Sequence, residues 1–197
     1  RIHIKQINNL PINIKKKIKK DLKKVLSVKK NFSYFNFKKL PNIMGVLNLT
    51  PDSFSDGGKY NNSLGYLHGL SLFNLGANII DVGGESTRPG SKEIKVADEW
   101  NRIKFTLKKL KKKKIPLSLD SRKSYIVEKA LKSKVNLIND ISGFKFDNKI
   151  VKIIKKYKSP FVINHIQGNP TTMQKKPKYK NVLLDIYDYF EKFLNDL

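Results

Sequence analysis

The chain has 197 residues, enough for one domain with a substantial core, and carries a formal net charge of +25. A charge of that size ordinarily points to nucleic acid or an anionic surface, yet of 41 basic residues only four (Arg1, Arg88, Arg102 and Arg122) are Arg. Without arginine forks or an aromatic-basic stacking platform, specific nucleic-acid reading is not expected, and the absence of Cys excludes disulfides and thiolate metal sites.

Lys accompanies many Asn and Ile, residues that share AT-rich codons, so most of the charge reads as compositional drift onto solvated faces. Zero Cys suits a reducing compartment, and a cytoplasmic location is expected. No apolar run approaches the roughly 18 residues of a membrane span, and no secretory apolar segment is present, so no membrane partner is expected. The chain opens on Arg1 rather than Met, which raises the expectation of a fragment.

Residues 1–40 read as a basic N-terminal extension and 41–197 as the main domain. Within "INIKKKIKKDLKKVL", Ile14, Ile18, Leu22 and Val25 recur at helical spacing. Such a helix is expected to pack its apolar stripe on its own domain, the alternative being a membrane-surface or nucleic-acid helix. The following "YFNFKKLPNIM" is expected to form a hairpin that covers the bottom of the domain.

From Ile43 onward, short apolar runs alternate with stretches of helical period, which predicts a parallel sheet with helical crossovers. Strands are predicted at 43–49, 78–82, 116–119, 136–139 and 160–164. Helices are predicted at 63–76, 97–113, 124–133, 148–157 and 182–196. The run Lys111 to Lys114 falls where the second of these helices should end, a position where the macrodipole favours cations.

Polar and glycine-rich segments follow all five strands, while the segments before them are short and bland. That asymmetry predicts an α/β fold of the (β/α)8 barrel type, of which five βα units are present. The alternative, a doubly wound open sheet, would gather its polar groups at one switch point.

The first polar segment belongs to "MGVLNLTPDSFSDGG". Asn48 ends the strand, where its amide can ligate a hard cation or meet a phosphate oxygen. Gly57-Gly58 offers a hinge, and Phe54 offers a face for a planar ligand. In "DVGGESTRPGS", Thr87 and Arg88 sit between a Gly pair and Pro89-Gly90, a frame that permits close approach of an anion to bidentate donors.

Asp120 in "SLDS" and Asn139 in "LINDISG" each present one planar polar group, suited to reading the edge of a heterocycle or to capping the next helix. Asp140 is assigned the capping role of its pair. His165 in "INHIQGNPTTM" is a candidate pocket residue, and no second His or Glu stands at zinc-ligand spacing.

These five segments, in this order, resemble the signature motifs of dihydropteroate synthase, and the resemblance runs from about Ile43 to Leu197. It implies condensation of a pterin pyrophosphate with p-aminobenzoate, assisted by Mg²⁺, in folate biosynthesis. By the same resemblance, Asn48 contacts the metal and the pyrophosphate, while Thr87 and Arg88 bind on the pterin-phosphate side. Asp120 and Asn139 would read the pterin, and Phe54 and Pro89 would flank the p-aminobenzoate ring. Asp56 would stabilise the developing cation, with Asp56 and Arg88 the catalytic pair.

The chain departs from the family at Asn164, where a Met usually precedes the His. A (β/α)8 barrel takes about 250 residues, so strands six to eight are not expected in this chain. The resemblance implies a homodimer whose interface lies mainly on the late helices. Ser121-Arg122-Lys123 imitates a late family motif but follows the third strand, so that role is not carried onto it. A related barrel that transfers a methyl group would have less use for "TPDSFSDGG".

Overall fold

The computed structural model of the chain describes residues 4–27, 31, 35–36, 41–50, 62–86, 91–168, 172 and 176–196. A short 3-10 helix, Ile4–Asn9, leads into α1, Ile12–Leu26. Five strands follow, β1 (Met44–Asn48), β2 (Ile79–Gly83), β3 (Leu117–Asp120), β4 (Leu137–Asp140) and β5 (Phe161–Ile163). The helices after them are α2 (Asn62–Asn74), α3 (Val96–Lys112), α4 (Ser124–Lys132), α5 (Lys149–Tyr157) and α6 (Val182–Asp196).

All four strand pairings are parallel, and the strands lie side by side in chain order, β1-β2-β3-β4-β5. An order without reversal has no switch point, which removes the doubly wound alternative and leaves five consecutive units of a (β/α)8 barrel.

Because side chains alternate along a strand, register fixes which residues share a face. Leu47, Ile80, Val82, Leu117, Leu119 and Ile138 are all fully buried and join the cluster under the helices with Ile103, Leu110, Ile126 and Ile150. The opposite face carries two rows. One is Val46–Asp81–Ser118–Leu137, and the next toward the strand ends is Asn48–Gly83–Asp120–Asn139–Val162.

Strands β2, β3 and β4 begin and end one residue later than predicted. Asn78 and Asn136 stand before β2 and β4 as caps: Asn78 Oδ1 accepts the Ile43 amide at 2.7 Å, and Asn136 Oδ1 accepts the Leu117 amide at 3.0 Å. At the other end the ladder continues through Gly83 and the polar Asp120, which pair with each other.

Glycines inside α2 weaken its helical propensity but allow close packing. A Cβ on Gly69 would lie 2.9 Å from Leu110 Cδ1 and 3.0 Å from Leu47 Cδ2. In α3, Asp98 and Glu99 occupy the first turn and Lys109, Lys111 and Lys112 the last, in the sense the macrodipole favours.

The helix predicted from Ile14, Ile18 and Leu22 is present as α1, but its stripe is not sealed onto the barrel. Ile14 stays 45% exposed, and among the described elements the 3-10 helix is its main neighbour. Of the predicted hairpin at 34–44, residues 34 and 37–40 lie outside the described residues; its two arms are tied where Asn36 N donates to Asn42 Oδ1 at 3.1 Å and Asn42 Nδ2 donates to Asn36 O at 3.2 Å. No helix among the described residues is long and apolar enough to cross a membrane.

Candidate active site

Asn48, Asp120 and Asn139 are brought to one end of the sheet by the register that aligns Asn48 with Gly83, Gly83 with Asp120 and Asp120 with Asn139. The missing side chain of Gly83 opens the space between its neighbours. A Cβ there would lie 3.4 Å from both Asn48 Oδ1 and Asp120 Oδ2, so the two oxygens converge over the Gly83 backbone.

Asp81 completes this group and was not singled out by sequence. It sits inside the β2 run "IIDVG", one row below, and its Oδ2 accepts the Asn139 amide Nδ2 at 2.9 Å. The available signal was a carboxylate at an inward position of an otherwise apolar strand.

Burial pushes the Asp81 carboxyl up, against the hydrogen bond it accepts from Asn139 and the nearby Ser118 hydroxyl. Asp120 is pushed up to about 7, first by burial and then by the negative charges of Asp81, Asp140, Glu99 and Glu85. A carboxyl that titrates near neutrality both donates and accepts, and an adjacent amide adds one of each. Together they match the mixed donor and acceptor edge of a nitrogen heterocycle.

Asp140, on the opposite face, is fully buried and turned into its own loop. Its Oδ1 accepts the Ser142 amide at 2.7 Å and its Oδ2 the Phe144 amide at 3.0 Å, so it braces the turn after β4 rather than capping the next helix as expected; α5 starts at Lys149, with Asn148 at the N-cap position.

His165, two residues past β5, is half-buried. Among the described residues its ring contacts are with α6 and the segment before it: edge-on to Tyr189 at 4.8 Å and tilted to Tyr179 at 5.8 Å. Tyr189 also donates its hydroxyl to Asn164 O at 3.2 Å, at the position of the family departure. Asp120 and Asn139 are not among these ring partners of His165. Phe54, Asp56, Thr87, Arg88 and Pro89 lie outside the described residues.

A second group of charges lies beside the first and was not foreseen. Lys123 Nζ lies 3.0 Å from both Glu85 Oε1 and Glu99 Oε2 and donates to Ile94 O at 2.6 Å. Arg122 Nε meets Glu85 Oε2 at 3.1 Å, with its guanidinium 4.0 Å from the Phe146 ring centroid. Ser121 Oγ donates to Glu99 Oε1 at 2.6 Å. Burial alone would raise the Glu85 carboxyl, but Arg122, the Ile94 amide and Lys123 hold it below the usual range.

Among the described residues, no group of three or more His, Asp or Glu could hold a metal ion. Asn48 Oδ1 and Asp120 Oδ2 are hard oxygen donors of the kind Mg²⁺ takes one or two at a time, with water and phosphate filling the remaining positions.

The profile of the family described as pterin binding enzyme matches residues 44–197. The dihydropteroate synthase of Clostridium beijerinckii is 40% identical over 163 residues, covering 82% of this chain and 58% of that protein. That of Synechocystis sp. is 36% identical over 158 residues, covering 79% of this chain and 55% of that protein. Among solved structures, the dihydropteroate synthase of Clostridium difficile, crystallised in the presence of pteroic acid, superposes with a TM-score of 0.71 at 38% identity. It covers 78% of this chain and 57% of its own. The Yersinia pestis dihydropteroate synthase in complex with a sulfonamide drug gives a TM-score of 0.72 at 34% identity, covering 79% of this chain and 57% of its own. The chain thus spans little more than half the length of the relatives it matches. Over most of its own length, with five parallel units and polar groups gathered at the strand ends, it belongs to the pterin binding enzyme family.

Proposed function

We propose that this chain forms the N-terminal part of a dihydropteroate synthase. The observation that carries the reading is the row Asn48–Gly83–Asp120–Asn139, which sets a carboxyl titrating near neutrality beside an amide at the strand ends. The pterin ring is read by Asp120 and Asn139, with Asp81 orienting the Asn139 amide so that its oxygen stays available. Thr87 and Arg88 hold the pyrophosphate, Phe54 and Pro89 flank the p-aminobenzoate ring, and His165 lines the far wall.

In the reaction the methylene C–O bond to pyrophosphate breaks. The amine nitrogen of p-aminobenzoate then forms the C–N bond and releases a proton. The protein contributes electrostatic stabilisation: Arg88 balances charge that grows on the leaving group, and Asp56 faces charge that grows on the methylene carbon. Asn48 fits Mg²⁺ as a hard oxygen donor at the strand end; the bound ion supplies further neutralisation of the pyrophosphate. The "TPDSFSDGG" segment, closing over the substrates, excludes water from the cation.

The test is dihydropteroate formation by the protein purified from its natural source, with variants made in that complete protein. Asn48→Ala and Arg88→Ala are each expected to lower turnover by about 10²-fold or more, as for loss of one electrostatic stabiliser. Unchanged rates in both variants would remove the proposed site.

A further inference from the structure

The segment from Glu85 to Ile94 leaves β2 and returns to α3, and its two ends are tied together twice. Ser91 Oγ donates to Ser86 O at 2.6 Å. Deeper in, both backbone groups of Ile94 are taken: its N–H donates to Glu85 Oε1 at 3.0 Å, and its carbonyl accepts from Lys123 Nζ at 2.6 Å. Thr87 and Arg88 lie in the chain between these ties.

Lys123 belongs to a different strand end, three residues after Asp120. Its ammonium donates to Glu85 Oε1 and Ile94 O and lies 3.0 Å from Glu99 Oε2 as an ion pair, and its side chain is 5% exposed. Arg122 extends the tie to a third strand end, reaching Glu85 on one side and Phe146 on the other. Ser124 N donates to Asp147 Oδ2 at 2.9 Å, which joins the same two segments again.

A buried ion pair contributes little net stability compared with apolar packing, so stability does not account for four charged side chains in this place. What it provides is fixed geometry, because the side chains are held by several directional bonds and ion pairs at once. Here that geometry links the segment bearing Thr87 and Arg88 to the strand bearing Asp120.

Resting on the function proposed above, we infer that Lys123 is a positioning residue. It sets the spacing between the phosphate-binding segment after β2 and the heterocycle-reading carboxyl at the end of β3. It touches neither substrate. A ligand that spans both subsites needs the spacing, whereas a ligand that occupies only the pterin subsite does not.

The experiment compares two probes on the complete natural protein by calorimetry, the pyrophosphate ester of hydroxymethyl-dihydropterin and the same pterin without phosphate. Lys123→Met is expected to weaken the pyrophosphate ester by about tenfold or more, in the range seen when supporting residues of a site are lost. The bare pterin should change by less than about twofold on the same reasoning. Glu85→Gln keeps the acceptor for the Ile94 amide while removing the charge, and should give the same pattern at smaller size. It decides the matter if Lys123→Met does not fold. Equal weakening of both probes, or of neither, overturns the inference while leaving the functional reading standing. A wild-type protein that binds neither probe overturns the reading and the inference with it.

Discussion

Two acidic groups lie within a few residues of each other at the same end of the sheet and behave in opposite ways. Glu85 and Glu99 are buried with cations against them, and Glu85 is held below the usual carboxylate range. Asp81 is buried beside the Asn139 amide and raised by that burial; Asp120, half-buried, is raised to about 7 by burial and by the charge of Asp81 and other acids. Burial is common to both, so the difference lies in the partners. A buried carboxylate met by Lys and Arg stays ionised and becomes structure, and one left facing other acids retains a proton to exchange and becomes available for chemistry.

The sharpest way to break this contrast is to remove the cation. Lys123→Met leaves Glu99 without its Lys123 partner, and urea unfolding should show a loss of about 3–5 kcal/mol. The double variant Glu99→Leu with Lys123→Met should recover part of that loss, because it removes the orphaned charge as well. No recovery would mean that packing, not charge, holds this group together.

A smaller effect is expected at the seam between the two groups. A Cβ on Gly84 would meet Ile103 Cγ2 at 2.8 Å and the Glu99 carbonyl at 2.9 Å, so Gly84→Ala must push α3 away. Overpacking of that kind costs about 1–3 kcal/mol, readable in the same unfolding experiment.

The pH dependence separates the two groups by sign. Asp120, raised to about 7 from 3.8, binds its proton more tightly folded than unfolded. Its contribution to stability is therefore complete below about pH 4 and is lost as pH rises through 7. Glu85, lowered from 4.5, contributes above that value and loses its contribution as pH falls through its folded pKa. Melting curves across pH should accordingly show that Asp120→Asn removes a decline on the neutral side. Glu85→Gln should remove one on the acid side, and an Asp120→Asn profile parallel to wild type would return Asp120 to the ordinary carboxylates.

The smallest change is expected away from both groups. Glu128 on α4 sits 3.5 Å from Lys132 and 3.5 Å from Lys156, all partly exposed. Glu128→Gln should shift stability by no more than about 0.5 kcal/mol, since solvent and salt screen such pairs.

The elements were legible for physical reasons that stop at the element. A parallel strand covered on both faces reads as a short, mostly apolar run, as β2 does apart from Asp81, while β3 and β4 each open on Leu and turn polar toward their ends. The helices between them carry their apolar stripe at a 3.6 period because one face meets the sheet. Asn48, Asp120 and Asn139 were legible because polar residues directly after such runs must emerge at one end of a parallel sheet. Asp81 was missed because it stands inside the run, where only register shows that it shares a face with Ser118 and lies one row below Asn139. Lys123 was noticed only as part of a Ser-Arg-Lys imitation. Its partners lie 38, 24 and 29 residues away along the chain, and no local pattern announces them.

By itself the sequence determined the alternation of strand and helix, the end of the sheet at which chemistry would gather and the family to which the motifs belong. Those follow from periodicities of a few residues and from residue types placed directly after them. Only the tertiary structure decided which acids would keep their charge. That outcome depends on which side of the sheet a carboxyl faces and on which distant cation is folded against it, and burial makes the difference large.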